Sequence, residues 1–175
     1  MSDQPDTSIT IRQAKPDDAT AVIDLINALA KFEHLAGPAG DAHARFLEYG
    51  FGPSPKFECW LAEKPDEDSK AVGYVVIYNT FSTFLLKPGL YLEDVFVLPE
   101  YRRLGIGTLL LTHAIELAVE RGCGRLEWAC LDWNLNAQAV YDGIGARRMH
   151  DWLLYRMTQD TMVRYLHVGS SGKPE

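Results

Sequence analysis

Cysteine is scarce in this chain of 175 residues. Cys59, Cys123 and Cys130 are odd in number, widely spaced and set among apolar neighbours. No C-x-x-C pair or His/Cys cluster occurs, so neither a disulfide framework nor a metal site is expected, and the thiols read as free in a reducing, cytoplasmic setting. No run of about 18 apolar residues is present to span a membrane. Met1 to Ser8 is polar and lacks the apolar core of a signal peptide. Basic residues are in the minority, 17 against 24 acidic, for a net charge of −7. That balance argues against nucleic acid as a partner and is compatible with a cationic substrate, although a solvated acidic surface gives the same number. Internal repeats and low-complexity segments are absent too.

What remains is an ordinary soluble composition, 47% hydrophobic and 23% charged. The length suits one domain. Residues 8–167 are expected to form it, with a disordered tail at 1–7 and a flexible tail at 168–175. Alternation over Ile9 to Ala14 predicts a first strand. Lys15-Pro16-Asp17-Asp18 predicts a helix start, with proline in the first turn and acids at the positive dipole end. Val22, Ile23, Leu25, Ile26, Leu29 and Ala30 carry that helix to about Phe32 or Glu33. A second helix is expected from Asp41 to Tyr49, stopped by Gly50 and Gly52. Strands are expected at Lys56–Glu63 and Ala71–Thr80 around a polar turn at Pro65–Asp68. A loop with exposed aromatics follows at Ser82–Gly89, then a strand at Leu90–Val97. A helix from Gly105 to about Arg121 places Ile106, Leu109, Leu110, Ala114, Leu117 and Ala118 on one face. His113 falls on that stripe and reads as a packing histidine. A strand at Arg125–Leu131, a helix at Asn134–Ile144, a strand at Arg147–Met157 and a short helix capped by Thr158 complete the order. The pattern is an α/β fold with a mixed sheet, whose crevice lies where the strand before the central helix diverges from the strand after it.

The stretch Tyr101-Arg102-Arg103-Leu104-Gly105-Ile106-Gly107-Thr108 is central. It follows an apolar strand carrying Glu93 and Asp94, and it opens a helix. Glycines without Cβ permit close backbone approach. The first helical N–H groups have no intrahelical partners, and with the helix dipole they make an anion site. The stretch reads as a pyrophosphate cradle. It is not a dinucleotide fingerprint, because Leu110 stands where the third glycine belongs. Nor is it a P-loop, because no lysine follows Gly107. The fitting pattern is [RQ]-x-x-G-x-[GA], from Arg102 to Gly107.

Three blocks together resemble the GNAT N-acetyltransferases, over about residues 85–146. Leu92-Glu93-Asp94-Val95-Phe96-Val97 is similar to the splayed strand whose backbone pairs with pantetheine. Arg102-x-x-Gly105-x-Gly107-Thr108 is similar to the pyrophosphate loop. Asn134-x-x-Ala137-x-x-x-Tyr141-x-x-x-Gly145-Ala146 is similar to the late helix carrying a CoA-contacting asparagine and a catalytic tyrosine. Leu29-Ala30-Lys31-Phe32-Glu33, Tyr91-Leu92-Glu93-Asp94 and Asp132-Trp133-Asn134 resemble the diamine (spermidine/spermine) N-acetyltransferase subfamily, and Phe81-Ser82-Thr83 its thialysine-acetylating branch. The resemblance implies a mostly antiparallel central sheet with flanking helices and a splayed βαβ acetyl-CoA site. It implies acetyl-CoA as co-substrate, bound by Val95, Phe96, Val97, Arg102, Arg103, Leu104, Gly105, Ile106, Gly107, Thr108, Asn134, Ala137 and Tyr141. It also implies a homodimer, a small amine as partner, and no metal.

An alkylammonium has a pKa near 10.4, so only about 0.1% is nucleophilic at neutral pH. Glu93, in an otherwise apolar strand, is the candidate base, with burial expected to raise its pKa; anchoring the substrate ammonium is its other reading. Tyr141 is the candidate acid for the departing thiolate, or else a packing tyrosine. Asn134 suits pantetheine amides and equally a helix N-cap. Glu33, Asp94 and Asp151 are expected to rim the amine site as acids, and Phe32 lines it or staples the core. Ser82, where the polyamine branch carries an acid, points to a short amine of one or two charges. The expected function is direct acetyl transfer to a small cationic amine, either a thialysine- or lysine-like amino acid or a diamine. Acetylation of protein amines and a non-catalytic acyl-CoA-binding module are the alternatives.

Overall fold

The computed structural model describes residues 9–67 and 70–168. The expected tail at 1–7, the expected tail at 168–175 apart from Val168, and Asp68 at the end of the expected turn lie outside them. The chain divides into two compact units, Met1–Trp133 and Asn134–Glu175.

The first unit holds β1 (Thr10–Gln13), α1 (Ala19–Phe32), α2 (Ala42–Phe51), β2 (Glu58–Lys64), β3 (Lys70–Ser82), β4 (Lys87–Val97), α3 (Ile106–Glu120) and β5 (Leu126–Glu127). The sheet order is β1-β2-β3-β4-β5. Every pairing is antiparallel except β4 with β5, which is parallel because α3 makes the crossover. One face carries Cys59, Leu61, Tyr74, Val76 and Phe96, which pack with Val22 and Leu25 of α1 and Phe46 of α2. The other face carries α3: Trp60 of β2 meets His113 there, ring centroids 4.2 Å apart.

Local chemistry accounts for several boundaries. Asp18 closes the start of α1, accepting the Lys15 N–H at 2.7 Å and both terminal nitrogens of Arg12 at 2.6 and 2.8 Å. Helix α2 runs through Gly50 to Phe51, two residues past the expected stop. Phe51 packs on Phe46 at 5.8 Å, and that contact outweighs the helix cost of glycine. Residues 82–89 are hairpin rather than open loop. The β3–β4 ladder extends to Ser82 opposite Lys87, and Ser82 Oγ accepts the Leu85 N–H at 3.2 Å. Ser82 is thus 2% exposed inside a turn, and its identity no longer bears on how a substrate is met. His113 packs as expected and burial lowers its pKa, but its Nε2 finds no partner among the described residues.

The expected strand at Arg125–Leu131 shortens to Leu126–Glu127, because β5 leaves β4 after two pairs. In the second unit α4 (Leu135–Gly143) and α5 (Gln159–Val168) match expectation, Thr158 capping α5 through the Thr161 N–H. The strand expected at Arg147–Met157 does not form. Its apolar side chains, Leu153, Leu154 and Tyr155 among them, are exposed, and a strand is defined by a ladder partner, which composition alone cannot provide.

Candidate active site

Strand β4 organises the candidate site residues of the first unit. Asp94 pairs with Val76 while Leu92 pairs with Ile77, so Glu93 is the extra residue of a β-bulge. In a regular strand adjacent side chains face opposite ways. Here the bulge shifts the alternation. Leu90 and Leu92 fall on the α3 face, opposite Asn79 and Ile77, whereas Asp94 and Phe96 fall on the α1 face, opposite Val76 and Tyr74. Glu93 lies beside the Tyr78 hydroxyl, and Tyr78 stacks on Tyr91 at 5.2 Å on that same face. Both carboxylates therefore come to one side of the sheet.

Their environments differ, and the expectation of a buried Glu93 is corrected. Glu93 is exposed, because the bulged residue stands out of the ladder. Asp94 is the enclosed acid. It accepts from the fully buried Tyr74 hydroxyl at 3.3 Å. Burial first, then the charges of Glu93 and Glu33, push its pKa up to about 6, while the Tyr74 hydrogen bond opposes them. Burial also raises Glu33, just past the end of α1. Tyr74 itself is held far above the usual phenol range by burial. Phe32 is half-buried, with Trp133 tilted against it at 5.6 Å. Tyr74, Tyr78 and Tyr91 also reach this face, which the sequence does not signal: alternation places Tyr74 and Tyr78 on one face of β3 but does not give what lies across the bulge.

After β4 the chain turns into the cradle. Past Tyr91, β4 has no partner on the side away from β3 among the described residues, so the backbone of Leu92–Val97, with Val95, Phe96 and Val97, keeps an open edge. Arg103 and Gly105 take left-handed φ values of 64° and 77°, a non-glycine outlier two residues before a glycine, as turns that gather backbone N–H groups require. Helix α3 begins with no side-chain cap, so its first N–H groups, around Ile106, Gly107 and Thr108, retain donor capacity. A Cβ at Gly107 would meet only Val97 Cγ2, at 3.9 Å. Arg103, Leu104 and Thr108 are exposed along this loop, and Ile106 is buried as its anchor. The Arg102 side chain is turned elsewhere: its Nε donates to the Val97 carbonyl at 3.0 Å, and its guanidinium lies 4.5 Å over the Phe32 ring and 5.4 Å from that of Phe96. These features fit an acyl-CoA: an uncapped helix start for the pyrophosphate, space above a glycine, and an unpaired strand edge for an extended amide chain.

In the second unit Asn134 caps α4, its Oδ1 accepting the Ala137 N–H at 3.3 Å, so the N-cap role is realised. Tyr141 lies seven residues on, two turns along the same face. Asn134, Ala137, Gln138 and Tyr141 form the less exposed side of α4. Gly145, at φ 84°, ends the helix, with the Ala146 N–H on the Tyr141 carbonyl. Asp151 is exposed in an irregular segment.

The acetyltransferase (GNAT) family model matches residues 23–146. The thialysine N-epsilon-acetyltransferase of Mus musculus is 35% identical over 163 residues, covering 89% of this chain and 95% of that protein. The L-ornithine N5-acetyltransferase of Arabidopsis thaliana is 33% identical over 207 aligned positions, covering 90% and 91%. Among solved structures, an integron cassette protein of V. cholerae superposes with a TM-score of 0.77 over 91% of this chain and 98% of that one. At 22% identity that likeness speaks for the fold alone.

Proposed function

Because this chain belongs to the GNAT acetyltransferase family, we propose that it moves acetyl from acetyl-CoA to the primary amine of a small cationic metabolite. The substrate class is a thialysine-, lysine- or ornithine-like amino acid, or a diamine, and transfer is direct within a ternary complex. The protein is an acyltransferase. The observation that carries the cofactor reading is the unpaired edge of β4, which leads into an uncapped α3 with a glycine in its first turn. When bound, acetyl-CoA supplies an activated acyl carbon on a thiolate leaving group. Backbone N–H groups near Val95 are suited to polarise an acyl oxygen. Arg102 to Thr108 would hold the pyrophosphate through main-chain donors, and Asn134, Ala137 and Tyr141 of α4 are kept as cofactor contacts on the strength of the resemblance. Tyr141 carries a phenol, a group that can protonate a thiolate while staying neutral beforehand.

The substrate reading is supported by the acids. The charges of Glu93 and Glu33 both act on Asp94, and no cation is among the groups that shift Asp94 or Glu33. Negative charge gathered around Asp94 favours an ammonium. Asp151 is kept as a substrate contact on the strength of the resemblance. The similar proteins named for thialysine and ornithine support a diamino acid. We also propose that residues 8–167 act as one acetyltransferase domain, which the family match across both units supports, and that the protein works as a cytoplasmic homodimer. The test is a panel of thialysine, lysine, ornithine, spermidine and spermine with acetyl-CoA, followed by thiol release. A diamino acid should give the highest kcat/KM. A lead for spermine would return the polyamine reading, and binding of acetyl-CoA without turnover of any amine would leave a non-catalytic module.

A further inference from the structure

We infer that Asp94, held in place by Tyr74, takes the proton from the substrate ammonium, and that its neighbour Glu93 binds the ammonium without taking the proton. The inference rests on the acetyltransferase reading above and divides the labour of its two acids. Neither position in the sequence distinguishes them; the bulge does. By adding one residue at Glu93 it turns both side chains to the α1 face while leaving them at different depths. Asp94 sits opposite Val76, within the packed cluster of Tyr74 and Phe96. Glu93 stays in solvent.

A proton acceptor must be ionised at neutral pH and yet hold a proton well enough to remove it from nitrogen. Asp94 meets both conditions, with a pKa near 6 set mainly by burial. The groups facing it leave that balance intact. Glu33 beyond α1 and Glu93 on β4 add negative charge. Cys59 on β2, its thiol pushed up to about 12 by burial, stays neutral. Tyr74 on β3 stays a phenol and donates one hydrogen bond to Oδ2. Arg102, the nearby cation, is stacked on Phe32 and Phe96 with its Nε on the Val97 carbonyl. Tyr74 is accordingly a positioning residue: it fixes the carboxylate's rotamer and keeps its pKa from rising further.

The protons balance as follows. The ammonium gives one proton to an Asp94 oxygen, leaving a lone pair on nitrogen. As the nitrogen–carbon bond forms and the carbon–sulfur bond breaks, nitrogen gives its second proton to water, sulfur takes one from its general acid, proposed above as Tyr141, and that phenol takes a proton back from water. Asp94 then returns its proton to water, so one proton is released per amide made.

The test is kcat and kcat/KM against pH, from 5 to 9, for the best amine of the panel, in the wild type and three variants. The wild-type acid limb of kcat/KM, which reports the free enzyme, should have its midpoint near 6. Asp94→Asn should lose about a hundredfold or more in kcat, together with the limb. Glu93→Gln should raise the amine KM and keep the limb, moved to lower pH because a charge that raises Asp94 is gone, with kcat falling far less than in Asp94→Asn, as expected of a residue that only binds. Tyr74→Phe should move the limb to higher pH while the plateau stays within about threefold, because only the acceptor's stabilising donor is removed; general structural damage would lower the plateau instead. Carboxyl-carbon NMR of Asp94 should show the same upward shift in Tyr74→Phe, and it carries the test if Asp94→Asn does not fold. A limb lost in Glu93→Gln and kept in Asp94→Asn, or an Asp94 that titrates in the ordinary aspartate range, overturns the assignment. A wild type that turns over no amine overturns the acetyltransferase reading itself, a result no variant pattern imitates.

Discussion

A side chain at Gly107 would place its Cβ in ordinary van der Waals contact with Val97, so the fold makes no demand for glycine there; a ligand approaching the helix start does. Gly107→Val should therefore abolish acetyl-CoA binding by calorimetry while the melting temperature stays within a few degrees. Gly105 gives a less clean comparison, because its φ of 77° would strain any branched residue whether or not a ligand binds. Tyr141 allows a second test at this scale. Tyr141→Phe removes one hydroxyl with little change in packing, so acetyl-CoA affinity should hold within a few-fold. Loss of a general acid costs about 10² to 10⁴ in rate, or about 3 to 5 kcal/mol of barrier. A kcat that stays near wild type in steady-state thiol-release assays would remove Tyr141 from the chemistry.

Among the elements, the β-bulge in β4 and the short β5 shape the proposed site: one collects the acids, the other leaves a backbone edge unpaired. Their scaffold depends on ties at the far strands. Arg12 of β1 joins Asp18 ahead of α1 to Glu63 of β2, at 2.6 and 2.5 Å, and Glu63 is only 9% exposed. Arg12→Met would leave both acids without their cation and should destabilise the protein by about 1–3 kcal/mol at pH 7 in urea unfolding. The sign of the pH dependence follows from Asp18, whose pKa is lowered chiefly by its hydrogen bonds from Arg12. A carboxylate lower in the folded state contributes stability above its unfolded pKa of about 3.9, and loses it as pH falls through the folded value. The gap between wild type and Arg12→Met should thus be full at pH 7 and shrink below about pH 4. A gap independent of pH would mean that packing of the arginine stem, not the ion pair, is what matters.

For the whole molecule, the apolar side chains left in solvent are the telling feature. Phe81, Phe84, Leu85 and Leu86 at the β3–β4 hairpin are 51–91% exposed, and Trp152 to Tyr155 in the second unit 70–86%. Contiguous exposed apolar residues on this scale mark association surfaces. Sedimentation velocity at micromolar concentration should accordingly return twice the chain mass of 19.6 kDa. A single-chain mass across the concentration range would count against the homodimer.

The sequence by itself determined the order of elements through β4 and α3, the cradle and the cap at Asn134. Each of these is local: apolar periodicity, glycine spacing and side-chain hydrogen-bonding reach act within a few residues. It also carried the two acids and the tyrosine of the proposed chemistry as residue types at fixed spacing. Which acid is enclosed was not legible, because one inserted residue in a ladder reverses the facing of everything beyond it, and the insertion is defined only against Val76 and Ile77 on the partner strand. Tyr74 was unreadable for the same reason, its hydroxyl meeting Asp94 20 residues away. The length of β5 and the absence of a strand at 147–157 likewise depended on ladder partners, which only the tertiary structure supplies or withholds.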